Sequence, residues 1–203
     1  MHAKIKNHFK KADAKLFKVL EKIEENLEEM SPILPQEYFF HLCRAIIAQQ
    51  LSGKVADKFL ERFTALFTDK KITPKALLKL SDEKLRGIGI SWAKVRYLKD
   101  LASKIKSKEV HLESLRNLKD EEVKIELTQV KGIGNWTAEM FLMFSLGRPN
   151  IFSHGDLGLR RAIEKIYNLK NPDKEKVEKL TQKWSPYRTW ACLILWRSYD
   201  IKK

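Results

Sequence analysis

Apolar residues recur at helical spacing along nearly the whole chain. Near the N-terminus they are separated alternately by four and three positions: Leu16, Leu20, Ile23, Leu27 and Met30. This spacing places them on one face of an α-helix, and no stretch alternates apolar and polar residues as a half-buried strand does. We therefore expect an all-α fold of roughly ten helices, because helices average about a dozen residues plus a short connection.

Proline and glycine mark further boundaries between helices. Thr73-Pro74 and Ser185-Pro186 each combine an N-cap side chain with the residue that suits the first helical position. We expect a helix to begin at each of these pairs. A Gly-Ile-Gly turn occurs twice, at Gly87–Gly89 and at Gly132–Gly134, each time before a helical pattern.

The charge balance indicates a polyanionic partner. Lys and Arg together number 40 against 26 Asp and Glu, which gives a formal net charge of +14. Nucleic acid is the first expectation and an anionic membrane surface the second. We expect no membrane partner, because no uncharged apolar run approaches the ~18–20 residues that a spanning helix needs.

The chain has only two cysteines, Cys43 and Cys192. Their number excludes a disulfide framework, an all-cysteine zinc site and a cysteine-ligated iron–sulfur cluster. The composition therefore indicates a basic globular protein of the cell interior.

The segment Leu127–Arg161 contains the chemically most informative pattern. A short helix over Glu121–Leu127, a tight turn over Val130–Gly134 and a second helix over Asn135–Leu146 form a predicted hairpin. Two glycines let the backbone turn sharply and leave amides unpaired at the start of the next helix, which favours a backbone phosphate. The alternative is a plain connection between helices, and we interpret Gly87–Gly89 in that way.

Asp156 precedes an amphipathic helical pattern and is a predicted N-cap residue. A carboxylate that faces bound nucleic acid is electrostatically costly, so a purely structural cap would be a poor choice there. A structural and a chemical role both remain open on these grounds.

The hairpin, the following helix, the turn Gly147–Pro149 and Asp156 resemble, at this spacing, the helix-hairpin-helix (HhH-GPD) DNA glycosylase superfamily. Within it, the chain is most similar to 3-methyladenine DNA glycosylase II. The resemblance extends to Ala45–Phe59, Gly87–Ala102 and Trp184–Trp196, and it covers roughly residues 35 to 200.

The resemblance implies two helical lobes with the active site in the cleft between them. Residues 35–146 would form the central lobe, which ends in the hairpin at about 121–146, and residues 1–34 with 147–203 would form the second lobe. Such enzymes flip a damaged nucleotide out of double-stranded DNA. We expect hydrolytic release of alkylated purines, such as 3-methyladenine and 7-methylguanine, to leave an abasic site.

The resemblance also assigns the catalytic residue. Asp156 matches the essential aspartate of the family, which stabilises the oxocarbenium-like sugar cation or activates the attacking water. Bifunctional relatives place a lysine two residues after the second hairpin glycine, where its amine forms a Schiff base. This chain has Trp136 there, so we expect a monofunctional glycosylase without lyase activity at abasic sites.

Further residues match DNA-contacting positions of the family. Trp136 and Trp196 correspond to the base pocket, and Met140 stands where alkylpurine relatives often have tyrosine. We expect Gln50 or Leu51 to fill the gap left by the flipped nucleotide. His154, just before Asp156, receives no catalytic role.

The hairpin has two further expected roles. Gly132, Ile133 and Gly134 would bind the DNA backbone. The carbonyl groups of Thr128, Val130 and Ile133 match those that hold a Na⁺ or K⁺ ion in relatives. We expect no required cofactor and no iron–sulfur cluster.

Two other functions remain open from the sequence. A non-catalytic helix-hairpin-helix DNA-binding module would explain the charge and the hairpin but would leave Asp156 unused. A glycosylase for oxidised or deaminated bases would use the same site. In each case we expect a monomer that acts on DNA, in the cytoplasm with the nucleoid of a prokaryote or in the nucleus of a eukaryote.

Overall fold

The computed structural model describes residues 3–23, 31–68 and 71–199. These residues contain no strand, which confirms the all-α prediction, and they form twelve α-helices. The helices are α1 (Ala3–Ala12), α2 (Ala14–Ile23), α3 (Tyr38–Ala48), α4 (Gly53–Thr64), α5 (Pro74–Lys79), α6 (Asp82–Gly87), α7 (Trp92–Lys106), α8 (Asp120–Thr128), α9 (Asn135–Phe144), α10 (Leu157–Tyr167), α11 (Lys174–Gln182) and α12 (Arg188–Arg197). Short 3₁₀ helices lie at Pro35–Glu37 and Leu112–Asn117.

The chain divides into two compact units. The terminal unit combines Met1–Ser31 with Gly147–Lys203, and the central unit is Pro32–Leu146. The first boundary expected from the sequence, between residues 34 and 35, lies a few residues after the structural one. Both therefore place α1, α2 and α10–α12 in one unit and α3–α9 in the other.

Helix α2 lies at the centre of the terminal unit, where it packs against α1, α10 and α12. Leu16, Leu20 and Ile23 are buried on its inner face, as their spacing predicts. The last two residues of the predicted stripe, Leu27 and Met30, lie outside the described residues.

A buried carboxylate joins the parts of the terminal unit. Asp13 caps α2, and its Oδ1 accepts hydrogen bonds from the amides of Lys15 and Leu16, both at 3.1 Å. Its Oδ2 accepts from the Tyr167 hydroxyl at 2.7 Å and from the Trp184 indole at 3.0 Å. Burial, together with the Asp13 hydrogen bond and charge, raises the pKa of Tyr167. The beginning of α2 is thereby tied to the end of α10 and to the segment after α11.

Helix α3 occupies the middle of the central unit and packs against α4, α7 and α9. Its apolar face is fully buried at Leu42, Ile46 and Ile47. Helix α7 also packs against α5 and α6, and α8 packs against α9. The hairpin between α8 and α9 is thus attached to the core of the central unit by α9.

One of the two predicted proline starts is correct and the other is wrong. Helix α5 begins at Pro74, and the Thr73 side chain accepts a hydrogen bond from the Ala76 amide. Helix α12 begins only at Arg188. The Tyr187 amide donates to the Trp184 carbonyl at 2.7 Å, so Ser185 and Pro186 lie within a turn that precedes the helix.

None of the helices within the described ranges is long and apolar enough to span a membrane.

The Asp13 contacts predict a large loss of stability on truncation. Asp13→Ala removes an N-cap and leaves the buried Trp184 indole without its acceptor, so we expect a loss on the order of 3 kcal/mol in the free energy of unfolding. Asp173→Ala, at the exposed N-cap of α11, removes only a cap and should cost about 1 kcal/mol. Urea unfolding of both variants measures the difference, and equal losses would contradict the proposed importance of Asp13.

Candidate functional site

Asp156 is the N-cap residue of α10. Its backbone is extended, and its Oδ1 accepts a hydrogen bond from the Leu159 amide at 2.8 Å. This contact satisfies one of the amides that the first turn of a helix leaves without an internal acceptor. The predicted cap is therefore present, and the Leu159 amide helps to orient the Asp156 carboxylate.

Trp196 reaches Asp156 from helix α12. Its indole Nε1 donates a hydrogen bond to Oδ1 of Asp156 at 3.1 Å. One carboxylate oxygen therefore accepts two donors, the Leu159 amide and the Trp196 indole, that are held by different helices. These two contacts restrict the rotation of the Asp156 side chain.

Gly158 leaves room for this arrangement. A Cβ atom at residue 158 would lie 3.1 Å from Oδ1 of Asp156 and 3.4 Å from Cδ1 of Trp196. The Tyr199 hydroxyl donates to the Gly158 carbonyl at 2.8 Å. Burial raises the pKa of Tyr199, the charge of Arg161 lowers it, and the charge of Asp156 raises it.

Sequence reasoning did not single out Gly158 or Tyr199. A glycine in the first turn of an amphipathic helix, next to a candidate acid, is the only local signal that could have suggested a close approach there. Tyr199 carries no such signal, because its partner lies far away in the sequence.

His154 binds α11 through an acidic side chain. Its Nε2 lies 2.8 Å from Oε2 of Glu178, and Nη1 of Arg188 lies 3.3 Å from Oε1 of the same carboxylate. The loop before Asp156 is thus attached to both α11 and α12. These contacts indicate that His154 has a structural role in attaching this loop to α11.

The turn that follows α9 is attached to α12 by one hydroxyl. The Thr189 hydroxyl donates to the Arg148 carbonyl at 2.6 Å and accepts from the Ile151 amide at 3.0 Å. Thr189 is fully buried, and its bond with the Ile151 amide is buried as well. Helix α12 therefore contacts two parts of this region. Thr189 binds the segment before Asp156, and Trp196 binds Asp156 itself.

The predicted hairpin lies in the central unit between α8 and α9. The N-cap of α9 is Gly134, which has no side chain to bind the amides of the first turn. Those amides lack acceptors within the helix and carry the positive end of its dipole. This is the geometry in which a helix N-terminus binds a phosphate.

Gly132 allows the hairpin to pack closely on α7. Its φ is +83°, in the left-handed region, and a Cβ at this position would overlap the ring of Tyr97. The neighbouring Lys131 amide donates to Oδ2 of Asp100 at 2.8 Å. A Cβ at Gly134, in contrast, would meet nothing within 4 Å.

The remaining predicted site residues belong to the central unit. Trp136 is 45% exposed on the first turn of α9, and Met140 is half-buried one turn later on the same face. Gln50 is exposed with φ +59°, and Leu51 is half-buried beside it. Asp156 and Trp196 lie in the terminal unit, where their side chains share a hydrogen bond.

The carbonyl groups expected at a cation site lie around the hairpin turn. Thr128 is the last residue of α8, and the Val130 carbonyl accepts a hydrogen bond from the Ile133 amide at 3.1 Å. Within the described residues, no group of three or more His, Cys, Asp or Glu side chains could hold a metal ion.

Comparison with known proteins identifies related sequences and structures. The family model described as "HhH-GPD superfamily base excision DNA repair protein" matches residues 43–186. A Bacillus subtilis protein, provisionally named as a DNA-3-methyladenine glycosylase, is 33% identical over 83% of the chain. The chain spans 61% of that relative, which is less than two thirds of its length.

For two similar proteins from Schizosaccharomyces pombe, the match covers a larger share of the relative's own length. DNA-3-methyladenine glycosylase 1 is 33% identical over 91% of this chain and 82% of its own length. A structure of S. pombe 3-methyladenine DNA glycosylase in complex with abasic DNA superposes with a TM-score of 0.83 at 28% identity, covering 98% of each chain.

The surroundings of the two hairpin glycines predict that alanine substitution destabilises the protein at Gly132 and has little effect on stability at Gly134. Gly132→Ala places a methyl group in the Tyr97 ring and an L-residue at positive φ, so we expect a loss of about 3 kcal/mol in the free energy of unfolding. Gly134→Ala meets no neighbour and should change it by less than about 1 kcal/mol. Thermal and urea unfolding measure both, and similar values for the two variants would contradict the packing described.

Proposed function

Because the chain belongs to the HhH-GPD superfamily of base excision DNA repair proteins, we propose that it is a DNA glycosylase that releases alkylated purines from double-stranded DNA. The observation that carries the proposal is the Asp156 carboxylate, which two helices orient through Leu159 and Trp196. The relatives named for 3-methyladenine release support the choice of substrate.

The chemistry needs little beyond this carboxylate. As the bond between C1′ and the base nitrogen breaks, the base leaves with the bonding electrons and the sugar becomes an oxocarbenium-like cation. The negative charge of Asp156 stabilises that cation, and water then adds to C1′ and loses a proton. An alkylated purine is already cationic, so it leaves without the second carboxyl group of a glycoside hydrolase.

Binding to DNA would rest on backbone contacts. The net charge of +14 favours a polyanion, and the first-turn amides of α9 would bind a backbone phosphate next to Gly132, Ile133 and Gly134. Exposed Gln50 or half-buried Leu51 would fill the gap left by the flipped nucleotide. The S. pombe structure with abasic DNA supports DNA as the partner.

Aromatic side chains would hold the flipped base. The exposed Trp136 ring offers a face on which a cationic purine can stack, with Met140 beside it. In the terminal unit, Trp196 is proposed to contact the base as well as to orient Asp156 through its indole N–H.

A structural cation would suit the hairpin. The carbonyl groups of Thr128, Val130 and Ile133 are neutral oxygen donors, the ligand type that hard cations such as Na⁺ or K⁺ prefer. Such an ion would add positive charge to the hairpin that is proposed to bind a phosphate. We assign it no part in the reaction and propose no cofactor and no iron–sulfur cluster.

The reaction is proposed to stop at the abasic site. Trp136 stands at the position where bifunctional relatives have the Schiff-base lysine, and an indole cannot form that adduct. We further propose a monomer that acts on chromosomal DNA, in the prokaryotic cytoplasm or the eukaryotic nucleus.

Release of free base from methylated duplex DNA tests the function directly. The wild-type protein should release 3-methyladenine and 7-methylguanine, and parallel incubations with oxidised and uracil-containing duplexes test the other base classes. A protein that binds all these duplexes and releases no base would be a binding module, which would overturn the proposal.

The substitution Asp156→Asn separates the chemical role from the cap. Asparagine can still accept from the Leu159 amide and the Trp196 indole, so stability should stay within about 1 kcal/mol. Binding should hold or tighten, because a negative charge near DNA is removed. Base release at saturating DNA should fall by at least roughly a hundredfold. The loss should be smaller for cationic 7-methylguanine than for a neutral damaged base.

Single-turnover excision measures this prediction, with circular dichroism as the control for folding. Equal excision rates for folded wild type and Asp156→Asn would return Asp156 to a purely structural role.

The absence of a lyase step is tested by trapping. With borohydride present during the reaction, we expect no covalent protein–DNA adduct, because Trp136 has no amine to form an imine. Product strands should stay intact until alkali or heat is applied. A trapped adduct, or breaks before alkali, would contradict monofunctional chemistry.

A further inference from the structure

One face of helix α7 touches two elements that are proposed to contact DNA. Lys94, Tyr97 and Asp100 are spaced three residues apart, so they lie along one side of the helix. Lys94 binds the end of α3, where the Gln49–Ser52 turn begins, whereas Tyr97 and Asp100 bind the hairpin between α8 and α9. All these elements belong to the central unit.

Lys94 holds the start of the Gln49–Ser52 turn. Its Nζ donates to the Ile47 carbonyl at 2.9 Å and to the Gln49 carbonyl at 2.7 Å. Carbonyl groups at the C-terminal end of a helix lack internal donors, and a cation there also interacts favourably with the helix dipole. The side chain is half-buried, and this burial lowers the pKa of Lys94.

Gln49 joins the turn directly to the hairpin. Its side-chain Nε2 donates to the Gly132 carbonyl at 2.8 Å and lies 3.4 Å from the Thr137 hydroxyl. Immediately after it, Gln50 takes the left-handed conformation with φ +59° and is exposed. The direction in which Gln50 and Leu51 leave α3 is thus set by a residue whose own side chain is anchored on the hairpin.

The contacts at the hairpin end come from the same helix. The Tyr97 ring lies against Gly132, and Asp100 accepts from the Lys131 amide. The hairpin and the turn therefore share one support, α7, and one direct link, the amide of Gln49. A change in either contact would shift one element relative to the other.

We propose that Lys94 and Gln49 are positioning residues that set the Gln49–Ser52 turn at a fixed distance from the phosphate-binding hairpin. The inference rests on the proposed function, since alignment matters only if the hairpin holds the backbone while the turn enters the duplex. Once the hairpin has bound, a turn held in place needs no further search to reach the gap of the flipped nucleotide. Displacement by even about 1 Å should slow flipping more than binding.

Matched substitutions on α7 test the role of the Lys94 ammonium. Lys94→Met removes the donor and keeps an aliphatic stem, whereas Lys106→Met removes the same charge from an exposed position on the same helix. Affinity for undamaged duplex should be the same for both variants to within about twofold, because each loses one positive charge. Single-turnover release of 7-methylguanine at saturating protein should fall by about tenfold or more in Lys94→Met only.

Gln49→Met provides a second variant that changes no charge. It removes the amide that binds the Gly132 carbonyl, and its excision rate should also fall by about tenfold while binding is unchanged. The double variant should lose less than the product of the two single effects, because both residues hold the same turn. An excision rate within about twofold of wild type in either folded single variant would overturn the proposal.

Hydrogen exchange supplies a readout that does not depend on base release. In the DNA-free protein, amides of residues 49–52 and 130–134 should exchange faster in Lys94→Met and Gln49→Met than in wild type, with Lys106→Met unchanged. Unchanged exchange in both segments would overturn the positioning role. If wild type releases no base from any duplex, the proposed function fails, and the exchange result still decides whether Lys94 and Gln49 fix the turn.

Discussion

The proposed chemistry depends on one carboxylate oxygen with two donors. Oδ1 of Asp156 accepts from the Leu159 amide at 2.8 Å and from the Trp196 indole at 3.1 Å. The capping and chemical interpretations of this residue are therefore compatible, since the cap is the contact that orients the acid. A carboxylate oriented before the substrate arrives loses little free energy to reorganisation when positive charge develops on the sugar.

Helix α10 connects the Asp156 cap to the buried contacts of the terminal unit. Its first turn is bound by Asp156, and its last residue, Tyr167, donates to the buried Asp13 at 2.7 Å. Asp13 also binds the Trp184 indole and the first amides of α2. An aspartate thus holds each end of α10, and the helix that Asp156 caps is attached to the start of α2 through Asp13.

Sequence reasoning recovered what local signals encode and missed what distant residues supply. The hairpin, the start of α5 at Pro74 and the cap at Asp156 follow from glycine, proline and capping chemistry within a few residues. The Trp196 bond to Asp156 and the Lys94 bonds at the end of α3 join residues that are 40 to 47 positions apart, which no periodicity reveals. The prediction of a helix start at Ser185-Pro186 was wrong for a different reason, since these two residues lie in a local turn between Trp184 and Tyr187.

The two Gly-Ile-Gly turns show how far an identical motif can differ in structure. In Gly87–Gly89 the last glycine is left-handed, with φ +107°, and the next helix is capped by Ser91, whose hydroxyl accepts from the Lys94 amide. In Gly132–Gly134 the first glycine is left-handed, and the following helix starts at a glycine without a capping side chain. At a capped N-terminus, a first-turn amide already donates to the capping side chain. At an N-terminus without a capping side chain, that amide can donate to a phosphate. The residue that caps the following helix, Ser91 after the first motif and Gly134 within the second, therefore separates a structural connection from a candidate anion site.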